Sequence, residues 1–232
     1  MKSTIIFKSV LSEALFVATT MTLLGAILFT LCEPALSLGQ TTSTFTVTQQ
    51  IDGEISFTVP AANITMTGAI QGITGGSATG STQTVVRTNA INGYNMTIAF
   101  TNSGSAMRGL VSSSTAIRDY GTSTAAEPTF LYNSSTSAQF AYSITASTSA
   151  DVEQSFLNNG SACNAVAGSS TVDRCWKGPA TSTFMVINRT TSAGNGATTT
   201  LKFNVTVPSN PTPALVQDFY QATATLTATN NP

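Results

Sequence analysis

Histidine is absent from this sequence of 232 residues, and charged side chains make up only 8% of it. Without an imidazole, every Ser-His-Asp or Cys-His catalytic arrangement is excluded and the usual general base is missing. An average soluble protein carries roughly 25% charged residues, so the polar surface here has to be built from Ser, Thr, Asn, Gln and Gly. A net charge of −1 supplies neither the basic stripe that nucleic acid requires nor an acidic solvating tail. Nucleic acid is therefore not an expected partner. Weak charge repulsion also makes self-association easier than usual. Lysine is scarcest where it would matter most: beyond residue 37 it occurs only at Lys177 and Lys202.

What is present begins with an apolar run. Lys2 and Lys8 precede an uncharged, mostly apolar stretch from Ala14 to Leu31, and Glu33-Pro34 ends it ahead of Ala35-Leu36-Ser37. A positive start, an apolar middle and small residues at Ala35 and Ser37 are the order of a secretory signal. The expectation is a signal peptide over residues 1–37, a mature chain from Leu38, and a secreted or cell-surface location. A retained membrane anchor is the alternative, since ~18 residues is near the lower limit for spanning a bilayer.

With Cys32 inside that segment, the rest of the chain keeps Cys163 and Cys175. Two isolated cysteines in an oxidising compartment read as one disulfide. A metal or redox pair lacks both histidine and a C-x-x-C spacing, so no metal and no cofactor are expected.

Alternation with a period of two recurs along the mature chain. Phe45 and Val47 alternate with Thr44, Thr46 and Thr48; Ile55, Phe57 and Val59 share a face; so do Tyr94, Met96, Ile98 and Phe100. Phe140, Tyr142 and Ile144 repeat the pattern, as do Leu201, Phe203, Val205 and Val207. Each stretch predicts a strand with one buried face. Weaker strand signals cover residues 63–67, 82–88, 107–112, 129–132 and 183–188, and a last strand is predicted from Phe219 to Thr229. Asp52-Gly53, Asn92-Gly93 and Asn195-Gly196 mark turns between them. No mature segment keeps a 3.6-residue apolar period. The predicted class is all-β: an antiparallel β-sandwich, immunoglobulin-like or jelly-roll, forming one domain over residues 38–232. Long loops are expected near 103–136 and 149–179.

Candidate sites are few. Asp52 with Glu54, and Asp151 with Glu153, have an i, i+2 spacing that puts two carboxylates on one face of a strand, although each pair adjoins a turn. Solvated carboxylates explain them without a glycosidase cleft. Trp176 lies between Cys175 and Lys177; it offers a stacking surface for a sugar ring or a partner's side chain, or else packs against the disulfide beside it. No residue presents itself as catalytic.

Two stretches look like pieces of bacterial surface β-sandwich domains. One is Asn92-Gly93-Tyr94-Asn95-Met96-Thr97-Ile98. The other is the ending, Phe203 to Pro208 followed by Tyr220-Gln221-Ala222-Thr223-Ala224-Thr225-Leu226-Thr227-Ala228, with Pro232 last. Over about forty residues the chain resembles the WxL cell-wall-binding proteins, which have a similar Tyr-x-Ala-Thr strand and a terminal proline. Leu226 and Ala228 stand where that family's Trp and Leu would be expected. The resemblance implies a surface β-sandwich. Together these features lead to the expectation of a non-catalytic extracellular structural or adhesive protein, such as a fibre, surface-layer or adhesin subunit. Strand addition between copies would be its means of self-association. The alternative is a carbohydrate- or cell-wall-binding module with a wall or glycan ligand.

Overall fold

The computed structural model describes residues 41–102, 104–121, 128–132 and 135–232. The signal expected at 1–37 lies outside them. The chain divides into two compact units, residues 1–50 and 51–232, and the sheets belong to the second.

Eleven strands form among the described residues: β1 (Ile55–Val59), β2 (Ile70–Gln71), β3 (Gly75–Thr88), β4 (Tyr94–Phe100), β5 (Met107–Gly109), β6 (Ala116–Asp119), β7 (Gln139–Ala146), β8 (Phe184–Arg189), β9 (Ala197–Val207), β10 (Tyr220–Gln221) and β11 (Ala224–Asn230). The larger sheet runs β1-β3-β9-β7-β6-β5-β10, with β2 also on β3; the smaller runs β11-β4-β8. The predicted all-β sandwich is what the chain forms. One pair departs from the antiparallel pattern, because β6 and β7 run parallel.

The core follows from alternation. On β4, Tyr94, Met96, Ile98 and Phe100 are buried while the residues between them are half-buried, and on β9 every odd residue from Ala197 to Val207 is buried. Each strand therefore turns one apolar face toward the opposite sheet. Phe100 of the small sheet packs edge-on to Phe140 at 6.1 Å and lies 5.5 Å from Tyr142, both on the large one. The Asn92-Gly93 turn admits only glycine: φ is +74° at Gly93, and a Cβ there would meet the Arg189 carbonyl oxygen at 2.1 Å.

On β3 the buried face is partly threonine, and each hydroxyl is used. Thr82 Oγ1 accepts from the Ala62 N–H at 2.9 Å, and Thr84 Oγ1 donates to the Val59 carbonyl at 2.8 Å. Thr88 Oγ1 lies 2.7 Å from both the Glu54 carbonyl and Asn230 Oδ1. These bonds clamp residues 54–62 onto β3 and bring the start of β1 beside the end of β11.

Several expected strands change. Residues 44–48 form no strand, and every residue from 41 to 54 is exposed; alternation makes a strand only where another backbone supplies hydrogen bonds. Residues 63–67 contribute a single bridge, Thr67 to Thr79, and Thr129 a single bridge to Trp176. The expected 219–229 strand breaks at Ala222-Thr223, so that β10 joins the large sheet through β5 while β11 joins the small one through β4.

Candidate functional site

The described parts of the long loops are tied to the sheets at several points. Cys163 and Cys175 are bonded to each other, with Cα atoms 5.7 Å apart. Lys202 on β9 pairs with Asp173 at 2.5 Å, and Arg189 Nη1 donates to Asp151 Oδ2 at 2.5 Å. Asp218 holds the other loop region: its carboxylate accepts the backbone N–H groups of Ser112, Phe219 and Val111. Those bonds, the Ser112 one foremost, lower its pKa below the usual carboxylate range.

Trp176 is not placed to stack on a ligand. It is 3% exposed, its ring meets Tyr132 edge-on at 5.8 Å, and its Nε1–H donates to the Asp173 carbonyl at 3.3 Å. Tyr132 in turn stacks on Tyr120 at 4.6 Å. Cys175 belongs to the main core, whereas Trp176 joins Tyr120 and Ala141 in a separate cluster. The indole therefore packs against tyrosines and not on the disulfide. The signal missed in the sequence is long-range: Lys177 exchanges backbone hydrogen bonds with Tyr142 on β7, and Trp176 does so with Thr129. That double pairing carries the indole onto the outer face of β7, over Ala141.

Neither carboxylate pair lies on a strand: Asp52 and Glu54 are exposed in irregular backbone ahead of β1, where the expected Asp52-Gly53 turn does not form, and Asp151, in a short 3-10 turn, is engaged by Arg189. Asp151 is the buried carboxylate, and Asp119 is half-buried. Its Oδ1 accepts the Ala106 N–H at 2.7 Å, and burial raises its pKa above the ordinary carboxylate range. Burial likewise pushes the Tyr94 hydroxyl up to about 12. Among the described residues no group of three His, Cys, Asp or Glu side chains could hold a metal ion. A polar depression of about 520 Å³ is lined by Asn63, Thr65, Thr67, Ser81 and Lys202.

The remaining candidate is an edge. Among the described residues β11 pairs only with β4. Thr101 N–H donates to the Thr223 carbonyl and Asn231 N–H to the Gly93 carbonyl, which fixes the phase of the ladder. With Thr225 opposite Ala99 and Thr227 opposite Thr97, the odd residues of β11 direct their backbone groups to β4. The N–H and C=O groups of Ala224, Leu226, Ala228 and Asn230 point the other way. Asn231 secures the end of the strand through Nδ2–H bonds to the Asn92 and Arg189 carbonyls, each 2.9 Å. The edge is therefore held in place.

No charge lies on the strand itself; Asp52 and Glu54 flank Gly53, which lies against Asn230 at the strand's end. From Phe219 to Pro232 there is no Asp, Glu, Lys or Arg. Lys177 is buried over the Phe184 ring at 4.1 Å, and Lys202 is committed to Asp173 on a central strand. Behind the edge the core is only half covered, because Phe57 on β1 and Leu226 and Ala228 on β11 pack against it while remaining partly exposed. The other edge of the small sheet is different: Glu153 N–H donates to the Val186 carbonyl, and Val152 bridges Ile187.

No protein-family model matches the chain, and neither does any curated protein.

Proposed function

We propose that this chain is a non-catalytic structural or adhesive protein of a cell surface, of the fibre, surface-layer or adhesin kind. The observation that carries the reading is the uncharged, one-sided β11 edge, since soluble monomers guard exposed edges with charge, especially lysine, or with proline. The Cys163–Cys175 bond agrees with an oxidising location outside the cytoplasm. A hydroxyl- and amide-rich surface and the WxL-like ending agree with exposure at the cell surface. A wall- or glycan-binding module is the second reading. With Trp176 buried, it would use the polar depression beside Lys202.

Labelling intact cells with a membrane-impermeant amine or carboxyl reagent, followed by size-exclusion chromatography of the recovered protein with and without purified cell wall, tests both. Surface labelling with polymeric material supports the structural reading. A labelled monomer that the wall material depletes supports the module, and protein found only inside intact cells contradicts both.

A further inference from the structure

Two segments of this chain are matched in length, pattern and charge. Residues 45–51 present Phe45, Val47 and Ile51 at odd positions, exposed at 85%, 83% and 83%, with the polar Gln49 standing between Val47 and Ile51. The alternate positions are Thr46, Thr48 and Gln50, and no residue from 41 to 51 is charged. β11 spans seven residues, Ala224–Asn230, and is equally uncharged. It offers outward N–H and C=O groups at every second residue and a half-covered apolar flank behind them.

The geometry points to residues 44–51 of one molecule as the strand that adds to β11 of a second copy, extending its three-stranded sheet to four. This rests on the reading of the chain as a surface subunit that assembles, and it names the two surfaces that meet. Main-chain hydrogen bonds to Ala224, Leu226, Ala228 and Asn230 supply the attachment, and alternate apolar side chains fit over the open flank where Phe57 and Leu226 stand. The contact is heterologous, because the segment and the edge are different parts of the molecule. Each subunit that donates a strand still has a vacant edge of its own, so the assembly grows head to tail into a filament instead of closing as a two-fold dimer.

The test uses the full chain as cells export it, in three forms: wild type, a segment variant F45D/V47D, and an edge variant A228P. Proline at position 228 removes an outward N–H, a place where edge strands accept it. T225K is made as a second edge variant, and native Trp176 emission is recorded for each to show that the sandwich is intact. Light scattering after size exclusion should find the wild type assembled and each variant at monomer mass. Mixing F45D/V47D with A228P in equal amounts should then give a species of twice the monomer mass and nothing larger, since one intact segment meets one intact edge. Folded F45D/V47D, or both folded edge variants, assembling like the wild type would overturn the proposal, as would a mixture that stays monomeric. A wild type that is surface-labelled yet strictly monomeric at high concentration would overturn it while leaving the surface reading standing.

Discussion

Leu226 on β11 stands opposite Ile98 on β4, yet its own N–H and C=O face away from that strand. Its side chain packs against the core while its backbone is directed outward, and the same holds for Ala228. A residue committed to the sandwich on one side and unpaired among the described residues on the other is what a further strand requires. The measurable consequences extend to the rest of the domain.

Removing the disulfide should weaken the domain appreciably. The bond spans a sequence separation of 12, and closing so short a loop in the unfolded chain is worth about 3 kcal/mol in the chain-entropy picture. Denaturant unfolding of C163S/C175S should show a loss of that order. Two alkylatable thiols in folded wild-type material would show that the bond is not formed.

Trp176 is the only tryptophan in the chain, so intrinsic fluorescence reports on it alone. Emission should be that of a buried indole, resistant to iodide and unchanged by cell-wall oligosaccharides. Trp176→Ala should cost about 3–5 kcal/mol through lost packing against Tyr132 and Tyr120. Quenching by added glycan would instead place the ring in a binding site.

Asp218 ties residues 110–112 to the start of β10, and its lowered pKa sets the sign of a pH effect. A carboxyl whose folded pKa lies below its unfolded value, about 3.9, stabilises the fold above that value and ceases to do so as pH falls through the folded pKa. Asp218→Asn should therefore lower the melting temperature at pH 7, and the gap from wild type should shrink as pH is taken below about 4. Asp119 has the opposite sign, because burial raises its pKa and penalises the ionised form above the unfolded value. Asp119→Asn keeps an oxygen for the Ala106 N–H and should be tolerated better at pH 7 than at pH 3. Equal effects at both pH values would contradict either assignment.

Strands that keep one apolar face along an unbroken ladder were legible from alternation alone, as β4 and β9 demonstrate, however distant their partners. The features that escaped have no sustained alternation, or an alternation that does not report where the pairing changes. The Trp176-Lys177 segment reads as loop because its pairings, to Thr129 and Tyr142, are isolated bridges without sustained alternation. Alternation from Phe219 to Thr229 conceals the break at Ala222-Thr223, since a strand that changes sheets can keep its period. Thr44 to Thr48 carries a strand pattern and forms no strand, which is the behaviour expected of a segment whose partner is another molecule. The threonines of β3 also masked their burial, because hydroxyls look solvent-facing until the carbonyls of Val59 and Glu54 are found beside them.

Hydrogen exchange at single residues of β11 tests the assembly most directly. In dissociated protein the amides of Thr225, Thr227 and Thr229, bonded to β4, should be protected while those of Leu226 and Ala228 exchange rapidly. Assembly should slow Leu226 and Ala228 to the level of their neighbours and leave the already protected amides little changed. Assembled material in which Leu226 and Ala228 still exchange as fast as in the monomer would show that subunits join elsewhere.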